Sequence, residues 1–333
     1  MTDEFKHLTS RLFKSNSSKT GILWEIFELQ RTRNPIYKSF SNSFIDRHKR
    51  PESIDEIPLL PIRAFKESHL IVDQLEPELQ FRSSGTGQGT RSRHLVASTD
   101  LYKKTIHKGF ERYFDPDQFA ILCYAPGYSD NPESSLLWMM NELIQSDPTG
   151  LSRFLPLGNP LTKSDFEPAL EKGKNILLFG AAFGLLDLID LKSAKLPDEA
   201  NIIETGGMKT YRHSVTKEEL RKRISDGFEV PGENIHSEYG MCELMSQMYA
   251  VGSEWFEPQP WVHLSVRDPS DPFRHCKPGE EGKIGVIDLA NLFSCPFLLT
   301  EDRGVMNEDG HLAVLGRLHG AELRGCNFLL EQD

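Results

Sequence analysis

The sequence predicts an α/β fold with a helical N-terminal segment and a β-rich C-terminal subdomain. Three observations carry that prediction. The first stretch places apolar residues at helical spacing; from Leu79 short apolar runs alternate with helical patterns; after Ser237 helical periodicity fades and extended runs take over. At 333 residues the chain can bury an extensive core as one large domain or a domain with a subdomain.

Between Phe5 and about His48, the spacings Ile22, Ile26, Leu29 and Ile36, Phe40, Phe44 predict two or three helices. Pro51 and the segment IPLLPIRAF, Ile57 to Phe65, interrupt that pattern, because proline removes a backbone donor and disfavours helix for the residue before it. A crossing loop or short extended piece is expected there. Strands follow at Leu79 to Arg82, Phe119 to Tyr124, Asn175 to Phe179 and Asn201 to Glu204, with helices at Asp100 to Tyr113 and Ser134 to Gln145. Extended runs at Trp261 to Val266, Lys283 to Leu289 and Leu312 to Leu315 form the β-rich end, and the Pro-, Asp- and Gly-rich stretch Arg267 to Gly282 reads as a linker. The expected division is a helical segment (1–75), an α/β core (76–266) and a closing subdomain with a hinge or tail (267–333). No internal repeat or low-complexity tract is visible.

Composition narrows the function classes. Lys and Arg number 38 against 49 Asp and Glu, a net charge of −11, which disfavours general attraction to nucleic acid or anionic membrane. No stretch approaches the roughly 18 to 20 apolar residues of a membrane span, and Met1 is followed by polar residues rather than an apolar leader. The five cysteines are odd in number and lack close metal-ligand spacing, so reduced thiols and a cytoplasmic location are expected.

Three segments carry chemistry. Phe81 to His94 reads FRSSGTGQGTRSRH, a loop rich in hydroxyls and glycines whose amides can surround an anion, with Arg91 and Arg93 adding charge-assisted bonds. It suits a triphosphate, is not the P-loop pattern, and is also compatible with a surface turn. Ile235 to Gln247 reads IHSEYGMCELMSQ: an aromatic face at Tyr239 can stack on a purine, and a carboxylate at Glu243 can hold Mg²⁺. In isolation, a core tyrosine and a solvated glutamate describe that segment better. In LLTEDRGVMNEDGHLAVL, Leu298 to Leu315, Asp302 follows a strand-like run and can accept both ribose hydroxyls, or cap a turn, or pair with Arg303; Glu308 to Gly310 looks like a hairpin turn.

In this order, the pieces resemble the adenylate-forming superfamily, and more closely the LuxE-type acyl-protein synthetases. The closer similarity rests on IPLLPIRAFKESHLI, SSGTGQGTRSRH, ETGGMKT (Glu204 to Thr210), EYGMCELMSQMY and GRLHGAELRGCN, and it spans most of the chain. The resemblance implies an adenylate-forming-enzyme-like fold that uses ATP and Mg²⁺ to activate a carboxylic acid, with a fatty acid the family expectation. Ser83, Ser84, Gly85, Thr86 and Gly87 would cradle phosphates, and Gly206 and Gly207 would line the nucleotide and acyl pocket. Tyr239 and Gly240 would lie against the adenine, Asp302 would bind ribose, and Glu243 would hold the metal. Lys209 would face developing charge and Arg317 would contact ribose or phosphate. Two departures stand out: Cys242 replaces the threonine usual before the motif glutamate, and no separate C-terminal domain with its adenylation lysine follows the hinge motif, as in other short members.

The resemblance also implies a cysteine near the C-terminus that carries the acyl group to a reductase or another acyl-accepting protein. Cys326 stands there, beside Arg324, although a lone cysteine is more commonly a small buried hydrophobe. Cys242 is the rival nucleophile. The competing functions are an acyl- or aryl-CoA ligase, separable by its thiol acceptor, and a catalytically inactive nucleotide-binding scaffold subunit, separable by the absence of pyrophosphate release.

Overall fold

The computed structural model describes residues 3–14, 18–46, 48–73, 75–84, 91–206 and 216–318. The N-terminal segment forms α1 (Asp3–Leu12), α2 (Lys19–Arg33) and α3 (Pro35–Asn42). Asn34 ends α2 and caps α3 by accepting from the Tyr37 amide at 3.1 Å, with Pro35 in the first turn, where a missing N–H costs nothing. The same Asn34 donates to the Ser294 carbonyl at 2.8 Å and Gln30 to the Leu292 carbonyl at 2.7 Å, so polar side chains fix these helices on the distant end of the chain. The interrupted segment becomes β1 (Leu60–Pro61), the expected short extended piece, followed by α4 (Ala64–Glu67).

Next come β2 (Leu79–Arg82), β3 (Arg93–Val96), α5 (Thr99–Glu111), β4 (Phe119–Tyr124), α6 (Ser135–Gln145) and β5 (Arg153–Phe154). They are followed by α7 (Lys163–Glu171), β6 (Asn175–Ala181), α8 (Ala182–Asp190), β7 (Asn201–Thr205), α9 (Lys217–Phe228), β8 (Ile235–Tyr239) and β9 (Met248–Ala250). A six-stranded sheet runs in the order β5-β4-β6-β7-β8-β9, parallel except for β9. The adjacent central strands β4, FAILCY, and β6, NILLFGA, read as nearly unbroken apolar runs because both faces are covered. In β4, Ile121 and Cys123 join a core with α5 and α6 residues such as Ile106 and Leu137, while Leu122 and Tyr124 join another with Phe166, Leu185 and Ile224 of α7, α8 and α9.

The last elements are β10 (Val262–Arg267), β11 (Gly282–Asp288), β12 (Phe297–Met306) and β13 (Leu312–Arg317). They form a second sheet, β1-β12-β11-β10, with β13 also on β12. Proline is tolerated in β1 because that strand is a sheet edge, paired in parallel with β12 only. The stretch read as a linker closes a hairpin within this sheet, since Arg267 of β10 and Lys283 of β11 are direct partners. The β12–β13 turn is the expected hairpin; Gly310, at φ 79°, supplies its left-handed residue. The first core is continuous from Phe5 and Ile26 through Ile106 to Val286 and Leu298, so it joins the helical segment, one face of the large sheet and the second sheet.

Candidate active site

An open cleft lies at the carboxyl ends of the parallel strands, where β8 runs into the loop Gly240 to Gln247. Its lining includes Arg82, Ser83, Ser84, Arg91 and Arg317 with Glu243 and Cys242, and also Tyr102, Leu136, Met139, Glu238 and Gln247. The hairpin β2–β3 delivers the serines. Ser83 is buried, its Oγ accepts from the Ser92 amide at 3.0 Å, and its carbonyl accepts from Arg91 Nε at 2.6 Å, which stitches the base of the loop. Gly85, Thr86 and Gly87 lie outside the described residues, as do Gly207, Lys209 and Cys326; Gly206 is described, at φ 88°, directly after β7.

Tyr239, Asp302 and Arg317 converge. The Tyr239 hydroxyl donates to Asp302 Oδ2 at 2.9 Å, and Arg317 Nε lies 3.3 Å from Oδ1. Asp302 and Arg317 are cross-strand partners in β12 and β13, so sheet register makes that ion pair. Arg303 points away and pairs with Glu281, which excludes the Asp302–Arg303 alternative. Burial first, and the Asp302 charge second, push the Tyr239 phenol well above its ordinary value, so it remains a donor.

The Glu243 loop is held by Asp288, the last residue of β11, and Asn291, in the turn that follows. Asp288, fully buried, accepts from the Met245 and Ser246 amides at 2.9 Å each and from the Ser246 hydroxyl at 2.7 Å. Asn291 donates to the Glu243 carbonyl at 2.8 Å and to the Cys295 carbonyl at 3.0 Å. His94 completes the clamp: Nδ1 donates to the Cys242 carbonyl at 2.7 Å, and Nε2 lies 2.9 Å from Asn291 Oδ1. His94 is therefore a buried structural residue with its pKa lowered by burial. Asp288 and Asn291 were not legible in sequence, since their partners are largely main-chain groups over 40 residues away.

Glu238, one residue before the motif tyrosine, is also a site residue the motif did not reveal. It is 6% exposed, and its Oε2 accepts from the Thr205 hydroxyl. Burial, reinforced by Glu204, pushes its carboxyl up to about 7 despite the Thr205 bond. Strand alternation turns it to the face opposite Ser237 and into the cleft.

Serine hydroxyls with Arg82, Arg91 and Arg317 suit polyphosphate oxygens, and one carboxylate suits Mg²⁺, which commonly takes one or two protein carboxylates plus phosphates and water. Among the described residues no group of three or more His, Cys, Asp or Glu could hold a metal ion. No helix among the described residues is long and apolar enough to cross a membrane.

This fold is that of adenylate-forming enzymes. ATP-bound MatB from Rhodopseudomonas palustris superposes with TM-score 0.51 at 18% identity, covering 74% of this chain and 49% of that one, so the chain spans about half the length of MatB. A 2-hydroxyisobutyryl-CoA ligase in complex with 2-HIB-AMP and CoA superposes with TM-score 0.61 at 13% identity in an open conformation, over 92% of this chain and 76% of that one. In its thioesterification state the values are 0.63, 12%, 96% and 69%. No curated protein matches the chain. Residues 160–333 match the family described as acyl-protein synthetase, LuxE, and the chain belongs to that family.

Proposed function

We propose that the chain activates a carboxylic acid with ATP and transfers the resulting acyl group to a protein cysteine thiol. The observation that carries this is the convergence in one cleft of Ser83, Ser84, Arg91, Glu243 and Arg317, drawn from three distant segments. Ser83, Ser84, Gly85, Thr86 and Gly87 bind the β- and γ-phosphates, Tyr239 and Gly240 flank the adenine, Gly206 and Gly207 border the pocket, and Asp302 takes the ribose hydroxyls with Arg317 beside it. Glu243, together with phosphate oxygens, would hold Mg²⁺, which would supply charge neutralisation.

An ionised carboxylate in the cleft places an oxygen against the α-phosphorus. A P–O bond forms, the bond to the β-phosphate oxygen breaks, and pyrophosphate leaves. Arg91, Arg317 and Lys209 oppose the charge that accumulates, and positioning supplies much of the rate. The Cys326 thiolate then attacks the acyl carbon, expels AMP, and presents the thioester to a reductase or other acyl-accepting protein. Cys242 lines the same cleft and is the alternative nucleophile.

The test is incubation with ATP, Mg²⁺ and a panel of acids, following pyrophosphate release and intact mass for wild type and Cys326→Ala. The expected result is release with an acyl adduct that disappears in Cys326→Ala. Release without any adduct would reassign the acceptor to a soluble thiol such as coenzyme A. No release with any acid would leave nucleotide binding without activation.

A further inference from the structure

The lining of the cleft is not that expected for a plain alkyl chain. Leu136 and Met139 of α6 supply apolar wall, but Glu238 and Gln247 face the same space, and each is only 6% exposed. The two side chains flank Gly240: a Cβ at that position would stand 2.5 Å from Glu238 Oε1 and 3.6 Å from Gln247 Cγ. Thr205 occupies Glu238 Oε2, whereas Oε1 stands beside Gly240. Gln247 Oε1 is buried and has no hydrogen-bond partner among the described residues.

Buried acceptors are costly when left unpaired, and a site built around them discriminates strongly against a ligand that covers them with methylene groups. Resting on the acid activation proposed above, we propose that Glu238 and Gln247 are specificity-determining residues, and that the acid carries a hydrogen-bond-donating substituent, a hydroxyl or an ammonium group, directed at these two oxygens. An unsubstituted fatty acid offers neither oxygen a donor. A hydroxyl suits Glu238 in either protonation state, because it can donate or accept; an ammonium group requires the carboxylate.

The experiment is acid-dependent ATP–pyrophosphate exchange with straight-chain acids of four to eight carbons, each compared with its hydroxy- and amino-substituted counterparts. The acid-induced rise in melting temperature, without ATP, is measured in parallel. Wild type is expected to favour a substituted acid over its unsubstituted match by about 100-fold or more in kcat/KM. Glu238→Leu and Gln247→Leu should collapse that ratio, and Glu238→Gln should retain hydroxy acids while losing amino acids. Because the readout is a ratio within one protein, partial loss of folded enzyme does not obscure it, and the wild-type ratio stands even if a leucine variant fails to fold. A wild-type preference for unsubstituted acids, or a ratio unmoved in the leucine variants, would overturn the proposal while leaving acid activation intact. Silence with every acid in a protein that still binds ATP would instead overturn acid activation and, with it, this assignment.

Discussion

Tyr239 and Asp302, 63 residues apart, are joined by a 2.9 Å hydrogen bond from the phenol to the carboxylate. The bond links β8 of the large sheet to β12 of the second sheet, and Arg317 on β13 holds the other oxygen of the same carboxylate. Two motifs that are unremarkable singly thus form one polar unit. Its parts should contribute unequally to nucleotide binding.

Asp302→Ala removes the acceptor for the tyrosine and the arginine as well as the proposed ribose contact. ATP affinity by calorimetry should fall about 10- to 100-fold, the scale of hydrogen bonds to a charged group. Tyr239→Phe keeps the ring and should cost less than about 10-fold. Asp302→Ala binding ATP like wild type would remove the ribose assignment.

Glu243 tests the metal. Glu243→Gln keeps shape and loses charge, so the Mg²⁺ concentration giving half-maximal pyrophosphate exchange should rise by about 10-fold or more. Asn291→Ala leaves the carboxylate in place but releases its carbonyl tether, and it should shift the same curve in the same direction by less. An unchanged Mg²⁺ curve in Glu243→Gln would count against the carboxylate as a ligand.

The physical basis of what was legible differs from element to element. Buried strands such as Asn175–Ala181 declared themselves because nearly every residue is apolar. β3 was hidden because Arg93 and His94 look like loop residues, and only the fold shows His94 buried against Cys242 and Asn291. α9, KEELRKRISDGF, buries only Leu220, Ile224 and Phe228, so its charges masked a real 3–4 spacing. In the site, Tyr239, Glu243 and Asp302 belong to a recognisable pattern, whereas Glu238 becomes functional only through the strand pleat that turns it into the cleft.

A stability prediction concerns Lys174 and Asp147, a nearly buried pair at 2.9 Å. Asp147 also accepts from the Thr149 and Ser152 hydroxyls at 2.6 and 2.7 Å, and such bonds outweigh its burial and hold its carboxyl well below the usual range. Lys174→Ala strands this charge and should cost about 3–5 kcal/mol in urea denaturation. Because the folded pKa is depressed, Asp147 contributes stability above the ordinary carboxylate pKa and loses it as pH falls below that. A cost below about 1 kcal/mol would show the pair to be solvated.

Glu238 and His236, two residues apart in β8, should impose opposite pH slopes. The Gly252 amide donates to His236 Nδ1 at 2.9 Å, so Nε2 bears the proton and donates to Asn201 at 2.8 Å. Burial, aided by Arg221, lowers this histidine from 6.5 to about 4, and the folded state gains stability as pH rises between those values. Glu238 moves the other way, from 4.5 to about 7: the folded chain keeps a proton that the unfolded chain releases, so its contribution is full below 4.5 and is lost as pH rises towards 7. Glu238→Gln removes only the second slope. The stability difference between wild type and Glu238→Gln should therefore shift against wild type across that window, by roughly 3 kcal/mol at most. Denaturant titrations of both proteins at several pH values from 4.5 to 7 measure it, and a constant difference would mean that Glu238 titrates alike in both states.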